Sequence, residues 1–332
     1  MNLLELFKPL NVNGRRFFIT GGTGFLGRSL LDYLAEVASF YDPCDFKVTV
    51  LSRNPAKFFE NFPEYRGHKW LSVVTGDLQL LPPLGNYTDV IHGAADTHWK
   101  GEELAWFEQL TDGTRRVLDF ACDSGAHRFL FLSSGAVYGF QDPEVPSLKE
   151  DMCSAPLPSD IASIYGHGKR MAETLCALYT QQKGLHCIVA RCFSVISRHV
   201  PMNGPYAVGN FLRDALATEC GHINVQGDGT AIRTYLDGHE MAHWMFSLLD
   251  DCLPGETYNI GSDQPVTMLE LSQKIAVQLA PHKTIRVNCA QNSTARSTYI
   301  PSVAKINSLG LIQKITLEQS IRLAAIRIME KI

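Results

Sequence analysis

The segment Phe17–Gly27, with the sequence Phe-Phe-Ile-Thr-Gly-Gly-Thr-Gly-Phe-Leu-Gly, joins an apolar run to a group of glycines. Apolar residues then recur at helical spacing, so the pattern predicts a strand, a tight turn and an amphipathic helix. Glycines let a backbone lie against a bulky anion, and a helix that begins there offers N–H groups to a pyrophosphate. The alternative is an ordinary glycine-rich turn, because the spacing Gly-x-x-Gly-x-x-Gly differs from the common Gly-x-Gly-x-x-Gly dinucleotide fingerprint.

Composition limits the classes of function. The chain has 332 residues, enough for one large domain or two fused ones. With 45% hydrophobic residues, a net charge of −4 and no cluster of like charges, it is typical of a globular protein that binds small molecules and not nucleic acid. Nine cysteines include no Cys-x-x-Cys pair, and no His/Cys/Asp/Glu group has metal spacing, so we expect no metal site.

The location of the protein is predicted from what the sequence lacks. The first ten residues do not have the pattern of a signal peptide, and no apolar run is long enough to span a bilayer. An odd number of cysteines fits a reducing compartment. We therefore expect a cytoplasmic protein with no membrane partner.

Short apolar strands alternate with helices through the first half of the chain. This alternation predicts parallel βαβ units and a doubly wound sheet, whose ligands lie at the carboxyl ends of the strands. After the first strand, the predicted strands are Lys47–Leu51, Trp70–Val74, Asp89–His92, Arg128–Leu132 and His186–Arg191, and the main predicted helices are Leu104–Cys122 and Tyr165–Gln182.

The alternation weakens after Arg191, which predicts a nucleotide-binding domain over 1–191. A smaller α/β substrate-binding part is expected over 192–332, with some chain crossing back to the sheet. Within it we predict a helix over Asn210–Cys220, a strand over His222–Gln226 and capping boxes from Thr267 with Glu270 and from Thr316 with Gln319. The proline-rich stretch Gln141–Ile161 is predicted to be a surface excursion and not a domain boundary.

Tyr165 and Lys169 are four residues apart on a predicted helix, so their side chains face the same way. A nearby ammonium favours the phenolate, and a phenol tuned in this way can exchange a proton with a sugar hydroxyl while hydride moves to or from nicotinamide. Ser134, at the end of a predicted strand, can hydrogen-bond the same oxygen. The alternative is a surface Tyr and Lys on an amphipathic helix, which the glycine turn and the order of the motifs make the weaker interpretation.

These motifs resemble the extended short-chain dehydrogenase/reductase family, and within it the nucleotide-sugar epimerases and dehydratases. The resemblance runs from Thr20 to Leu311 and implies Ser134, Tyr165 and Lys169 as a catalytic triad. It also implies a homodimer formed through the helices of 104–122 and 165–182. The motifs that carry it are Thr20-Gly-Gly-Thr-Gly-Phe-Leu-Gly27, Gly76-Asp77-Leu78, His92-Gly-Ala-Ala95, Ser133-Ser-Gly-Ala-Val-Tyr-Gly139, Tyr165-Gly-His-Gly-Lys169, Gly227-Asp-Gly-Thr-Ala-Ile-Arg233 and Tyr258-Asn-Ile-Gly261.

A dinucleotide would contact the glycine turn and the ends of the following strands. Relatives that prefer NAD usually carry an acid where Ser52 stands, whereas here Arg53 follows and would attract a 2′-phosphate. We therefore expect NADP as the cofactor, with NAD as the alternative. The simpler interpretation of Arg53 is that its side chain only faces solvent. The resemblance implies Asp77 and Leu78 beside the adenine and Ala94 and Ala95 along the cofactor. The other expected cofactor-binding residues are Gly21, Thr23, Gly24, Phe25, Leu26, Gly27, Ser52 and Arg53, together with Tyr165 and Lys169.

The resemblance implies that Arg233 holds the diphosphate of a nucleotide sugar, a role that suits its forked, permanent charge. A surface salt bridge is the alternative. Ser194 stands where relatives often have Asn, Arg198 is a candidate for substrate contact, and Asn210 either reaches the diphosphate or caps its helix.

The reaction is narrowed by a departure from the family pattern. Members that eliminate water carry an Asp-Glu pair where this chain has Gly135 and Ala136, neither of which can transfer a proton. We therefore expect redox at sugar C4, as in a 4-ketoreductase or 4-epimerase. The alternatives are a nucleotide-sugar 4,6-dehydratase or decarboxylase and, from another class, a non-catalytic cofactor-binding scaffold.

Overall fold

The computed structural model describes residues 6–7, 10, 12–41, 43–97, 99–288 and 297–329, except the side chains of residues 251 and 327. Cys289 and most of the first ten residues, on which two of the sequence arguments depend, lie outside this set. The chain forms two compact units. The first contains Met1–Gly139, Ser154–Arg191 and Ala242–Tyr258, and the second contains Phe140–Cys153, Cys192–Met241 and Asn259–Ile332.

Strands and helices alternate up to residue 192, as the apolar pattern predicts, except that the strands Leu71–Thr75 and Asp89–His92 follow each other with no helix between them. The elements are β1 (Arg16–Thr20), α1 (Phe25–Phe40), β2 (Lys47–Ser52), α2 (Pro55–Asn61), β3 (Leu71–Thr75), β4 (Asp89–His92), α3 (Glu103–Asp123), β5 (Arg128–Ser134), α4 (Ile164–Lys183) and β6 (His186–Cys192). The predicted strands agree with these bounds to within two residues, since the branched and aromatic runs that define them are the buried ones.

Shorter elements follow in the rest of the chain. They are β7 (Val195–Ile196), α5 (Ala207–Leu216), β8 (His222–Gln226), β9 (Ile232–Arg233), β10 (Leu236–Asp237), α6 (Gly238–Asp251), β11 (Thr257–Ile260), β12 (Val266–Thr267), α7 (Met268–Leu279), β13 (Thr284–Asn288), α8 (Ala304–Asn307) and α9 (Leu317–Met329). Helix α6 returns the chain from the second unit to the first, where its apolar side packs on β1 through an edge-to-face contact of Phe246 with Phe17.

The central sheet has seven strands in the order β3-β2-β1-β4-β5-β6-β11. Strand β1 pairs in parallel with β2 and with β4, and β4 pairs in parallel with β5. Phe17, Phe18 and Ile19 of β1 are fully buried, as expected of a central strand that is covered on both faces. The prediction of a doubly wound α/β fold is confirmed, and the strand order reverses beside β1, which is where ligands of such sheets bind.

The amino ends of the sheet strands are joined by ion pairs around one buried carboxylate, here called the amino-end ion network. Asp89, the first residue of β4, accepts hydrogen bonds from Arg15 and from Arg128, the first residue of β5. Arg15 also pairs with Asp250 of α6. The Asp89 side chain has no exposed surface, so these partners compensate a carboxylate that water cannot reach.

Two predictions for the second half are corrected by contacts between distant residues. Helix α5 ends at Leu216 and not at Cys220, because Lys283 donates through Nζ to the carbonyls of Asp214 and Ala217 and so takes up carbonyls at the end of the helix. Residues 142–161 are mostly exposed, as predicted for a surface excursion, but residues 140–153 cluster with the second unit, so a boundary between the units falls within the stretch. There Leu148 bridges to Pro301, and both residues are buried.

Other predictions for the second half are confirmed. Thr267 and Glu270 bond each other's backbone N–H groups at the start of α7, and Thr316 and Gln319 do the same before α9. Strand β8 has the predicted bounds. Among the described residues, no helix is both long enough and apolar enough to cross a membrane.

Candidate active site

The turn after β1 is shaped by Gly21. Its φ of +75° lies in the left-handed region, and a Cβ there would lie 2.5 Å from the carbonyl carbon of Gly93 and 2.6 Å from the nitrogen of Ala94. Only glycine therefore fits between the ends of β1 and β4. Helix α1 begins directly afterwards, with Gly24 as an N-cap that supplies no side-chain hydrogen bond and with no acidic residue in the first turn. The helix thus presents its first N–H groups and its positive dipole end, as an anion site requires.

A buried hydrogen-bond chain ties this turn to the next strand and to α3. The hydroxyl of Thr114 donates to the Leu110 carbonyl at 2.7 Å, so it accepts from Nε2 of His92 at 3.1 Å. Nδ1 of His92 then accepts from the hydroxyl of Thr20 at 2.6 Å. Burial and, after it, the charge of Lys169 lower the pKa of His92 to about 3, so the imidazole is neutral. His92 is therefore a structural residue that fixes the ends of β1 and β4.

The predicted adenosine-side residues lie at the ends of β2 and β3. Ser52 is buried and accepts from the Asn54 backbone at 3.2 Å, while Arg53 is exposed. Among the described residues Arg53 makes no hydrogen bond or ion pair. Oδ1 of Asp77 accepts from the backbone nitrogens of residues 79 and 80, which holds the turn after β3, and Leu78 packs into the core beside it.

Tyr165 and Lys169 lie on α4, one helical turn apart. Nζ of Lys169 is 5.8 Å from the centroid of the Tyr165 ring and donates to the Leu132 carbonyl of β5 at 2.7 Å. The Lys169 side chain is buried, so its ammonium acts in a poorly solvated place beside the phenol. The arrangement can therefore stabilise a phenolate at Tyr165.

Ser134 ends β5 and begins a short 3-10 turn over residues 135–138. Its Oγ accepts from the Ala136 backbone at 3.1 Å, which fixes the side chain at the start of the turn. A Cβ on Gly166 would lie 2.5 Å from the Ala136 carbonyl oxygen, so the glycine next to Tyr165 lets α4 press against this turn. Strand β5, the turn and α4 thus bring Ser134, Tyr165 and Lys169 to one end of the sheet.

Three side chains at this end were missed by sequence reasoning. Trp106 of α3 stacks on Tyr165, with ring centroids 5.8 Å apart and planes 24° apart, and donates from Nε1 to the Asp96 carbonyl. Glu173 and Arg191 form an ion pair, and Ser133 donates a hydrogen bond to Glu173. Only Glu173 had a sequence signal, because it follows Lys169 at the same four-residue spacing that singles out Tyr165.

The predicted substrate-side residues lie in the second unit. Arg233 of β9 donates to the carbonyls of Ile232 and Ser297 at 2.7 and 3.0 Å and to the Ser297 hydroxyl at 3.1 Å. Its guanidinium also lies 5.8 Å from the Tyr299 ring centroid. Within the described ranges no carboxylate pairs with Arg233, so the surface salt bridge offered as the alternative is not observed there.

The other three candidates occupy different elements of the second unit. Ser194 precedes β7 and accepts from the Leu236 backbone at 3.1 Å, and Arg198 donates from Nε to His199 at 3.3 Å. Asn210 lies inside α5 and donates from Nδ2 to the Gly204 carbonyl, so its amide is not the cap of that helix. Among the described residues, no three or more His, Cys, Asp or Glu side chains are grouped to hold a metal ion.

Comparison with known families identifies the proteins that this chain resembles. The model of the NAD dependent epimerase/dehydratase family matches residues 17–261. A UDP-glucuronic acid decarboxylase 1 of Danio rerio is 29% identical over 276 residues, which cover 82% of this chain and 62% of that protein. A UDP-N-acetyl-alpha-D-glucosaminuronate decarboxylase of Bacillus cytotoxicus is 29% identical over 280 residues and 79% of each chain. The chain thus spans less than two thirds of the zebrafish relative.

Solved structures share the fold at lower identity. A UDP-N-acetylglucosamine 4-epimerase of Methanobrevibacter ruminantium, in complex with UDP-N-acetylmuramic acid, superimposes with a TM-score of 0.82 at 20% identity over 96% of this chain and 100% of that one. MoeE5, in complex with UDP-glucuronic acid and NAD, gives 0.77 at 21% identity over 96% of this chain and 100% of that one.

Proposed function

Because the chain belongs to the NAD-dependent epimerase/dehydratase family, we propose that it oxidises a nucleotide sugar at C4 with a bound nicotinamide cofactor. The observation that carries this proposal is the buried Lys169 ammonium beside the Tyr165 ring, at the same sheet end as the glycine turn. Tyr165, as phenolate, would take the C4 hydroxyl proton, and Ser134 would hydrogen-bond the same oxygen, while a bound nicotinamide would supply the hydride acceptor. A sensing or scaffold protein would not need this pair.

The reaction we propose is decarboxylation of a UDP-hexuronic acid. Oxidation at C4 places a ketone β to the C6 carboxylate, which leaves as carbon dioxide while its bonding electrons move into the ketone as an enolate. Water would supply the proton that is added at C5, and a bound reduced nicotinamide would supply the hydride that reduces the C4 ketone. Unlike dehydration, the loss of carbon dioxide removes no C5 proton and expels no C6 hydroxyl, so it needs no acid-base pair at positions 135 and 136, where this chain has Gly and Ala. The curated relatives named above support this choice over the C4 ketoreductase expected from sequence.

A second candidate is 4-epimerisation, which also needs only Tyr165 and nicotinamide. In that reaction hydride leaves and returns on opposite faces of the sugar, and no carbon is lost. Gly135 and Ala136 are as compatible with this chemistry as with decarboxylation. The two reactions differ in product mass, which makes them easy to separate.

We propose that the first unit binds the dinucleotide, because the residues expected to contact it lie there. Exposed Arg53 and the absence of an acid at Ser52 favour NADP, whereas MoeE5 is described with NAD, so both cofactors belong in the assay. Arg233 and the other second-unit candidates would hold the nucleotide sugar, with the Arg233 fork on the diphosphate.

The test is incubation with UDP-glucuronic acid and either oxidised cofactor, followed by mass spectrometry of the nucleotide products. Loss of the mass of carbon dioxide supports decarboxylation, and an isobaric product with a new retention time supports 4-epimerisation. A Tyr165→Phe variant is the matched control, because it removes only the hydroxyl. Turnover by Tyr165→Phe at the wild-type rate would contradict the assignment of Tyr165.

We also propose a homodimer formed through α3 and α4. Both helices expose apolar side chains that a monomer would leave in water, with Leu104, Met171 and Leu178 exposed by 76%, 48% and 40%. Light scattering should give twice the monomer mass. Met171→Glu, on the exposed side of α4, should shift the protein to monomer, and Val277→Glu in α7 is the matched control.

A further inference from the structure

A four-residue polar network lies next to the proposed catalytic residues and has no part in the chemistry described so far. Ser133 donates to Oε1 of Glu173 at 2.5 Å, and Arg191 donates to both oxygens of that carboxylate, from Nε at 3.0 and 3.3 Å and from Nη2 at 2.7 Å. Nη1 of Arg191 donates to the Tyr138 hydroxyl at 2.8 Å. We call these four side chains the Glu173 network.

The network joins every element that carries a proposed catalytic residue. Ser133 is the neighbour of Ser134 on β5, and Tyr138 ends the turn that the Ser134 hydroxyl begins. Glu173 lies on α4, one turn after Lys169 and two turns after Tyr165, and so on the same side of the helix. Movement of β5 relative to α4 would therefore break these hydrogen bonds.

The ion pair at its centre is largely buried, with 12% of the Arg191 side chain and 13% of the Glu173 side chain exposed. Burial opposes the charge on Arg191, but the hydrogen bonds and charge of Glu173 outweigh it, so the pKa of the guanidinium is raised. Buried ion pairs are weak sources of stability and are often replaced by apolar residues at no loss. This one is better explained by the geometry and electrostatics it imposes on its surroundings.

The charges of Glu173 and Arg191 affect the ionisation of the Tyr165 phenol through Lys169. A bare carboxylate at Glu173 would attract the ammonium one turn away and oppose a phenolate at Tyr165, and a bare guanidinium would favour one. Other groups that face Tyr165 and Lys169 in the described part of the chain include four from neighbouring elements that carry no charge. They are Trp106 on α3, Phe131 and Leu132 on β5, and neutral His92 on β4.

We propose that Glu173 and Arg191, with Ser133 and Tyr138, are positioning residues that hold Ser134 against α4 and keep the charge near Lys169 balanced. The proposal deepens the proposed function, since it rests on Tyr165 as the proton-transfer group. Its electrostatic part, however, concerns the free enzyme and can be measured without a substrate.

The experiment is an ultraviolet difference titration of the Tyr165 phenol, with Tyr165→Phe as the reference that isolates its signal. Arg191→Met should raise the pH of half-ionisation by about half a pH unit or more, and Glu173→Gln should lower it by a similar amount. The double variant should return close to the wild type. A merely structural network would lower the melting temperature of both single variants without opposite shifts. Shifts of the same sign, or no shift, would overturn the proposal.

Tyr138→Phe covers the case in which a single charge variant does not fold. It removes only the hydroxyl that accepts from Arg191, and we expect kcat to fall about threefold to tenfold at an unchanged KM for the nucleotide sugar. Ser247→Ala, which removes a buried hydroxyl in α6, is the matched control. An unchanged kcat in Tyr138→Phe would also overturn the proposal. If the titration shifts as expected but no nucleotide sugar is turned over, the proposed function fails and the positioning role stands.

Discussion

At the amino ends of β1, β4 and β5, two arginines surround the buried carboxylate of Asp89, whereas the carboxyl ends of the same strands present Thr20, His92 and Ser134. The amino-end charges are satisfied by one another. Among the described side chains named at the carboxyl end, Thr20, His92 and Ser134 are neutral, whereas Lys169 and the compensated Glu173 network carry charge. Helix α1 begins at this end without an acidic residue in its first turn, and Arg53 at the end of β2 is exposed. The charges at the amino ends of this sheet thus stabilise the fold, whereas those at the carboxyl ends can take part in ligand binding or catalysis.

The largest effect should come from the carboxyl end. Tyr165→Phe is expected to lower kcat by about 10²- to 10⁴-fold, because it removes the proton-transfer group. The free energy of unfolding should change by no more than about 1 kcal/mol, since the hydroxyl is at the edge of the packed ring. Steady-state kinetics and urea unfolding measure the two quantities. A loss of stability large enough to explain the lost activity would contradict the catalytic role assigned to the carboxyl end of the sheet.

The converse is expected at the amino end. Asp89→Asn leaves Arg15 and Arg128 without their buried carboxylate and should cost about 3–5 kcal/mol in the free energy of unfolding, with kcat of the folded enzyme unchanged. The control is Asp112→Asn, because Asp112 forms a half-exposed pair with Arg115 at 3.7 Å and should cost less than about 1 kcal/mol. Equal losses in the two variants would contradict the role assigned to the amino-end ion network.

The neutral His92 makes the carboxyl end sensitive to acid. The pKa of His92 is about 3 in the folded protein, lowered mainly by burial, and about 6.5 when unfolded. Between these values the unfolded state binds more protons, so stability is full above pH 6.5 and falls as the pH decreases towards 3. We expect a loss of roughly 3 kcal/mol between pH 7 and pH 4 from this residue.

The matched variant is His92→Asn, whose amide cannot titrate. Urea unfolding at several pH values should show a shallower pH dependence in the variant than in the wild type. Parallel pH profiles for the two proteins would show that the buried imidazole is not the group responsible.

The smallest effect concerns the cofactor. Arg53→Glu should reduce the preference for NADP over NAD by about tenfold or more, because a carboxylate repels the 2′-phosphate and bonds the 2′-hydroxyl. The dissociation constants of both cofactors, measured by calorimetry, give the preference directly. Arg66→Glu, an exposed arginine that donates to the Phe59 carbonyl, serves as the control and should leave the ratio unchanged.

The elements around the glycine turn could be predicted because local signals and tertiary packing agree there. Phe17, Phe18 and Ile19 are both the apolar run of the sequence and the buried centre of the sheet. The end of α5 could not be predicted, because it depends on Lys283, which is 66 residues from the Ala217 carbonyl that it caps. Such a contact leaves no periodic trace in the sequence.

The residues of the proposed site were likewise predictable only where local spacing in the sequence indicates them. Tyr165 and Lys169 are recognisable from their spacing on one helix, whereas the approach of Arg191 to Glu173 depends on which strand lies beside α4. Trp106 is likewise an ordinary helical aromatic until the fold places it on Tyr165. The substrate-side residues are the least predictable, since they come from separate short elements of the second unit.

The stacking of Trp106 on Tyr165 gives the protein an optical reporter. The chain has four tryptophans, and this indole lies against the proposed catalytic phenol. Reduced nicotinamide absorbs at the wavelengths where indole emits. Reduction of a cofactor bound near Tyr165 would therefore quench the fluorescence of Trp106 by energy transfer. Comparing emission with that of Trp106→Phe would follow the oxidation state of the bound cofactor during a single turnover.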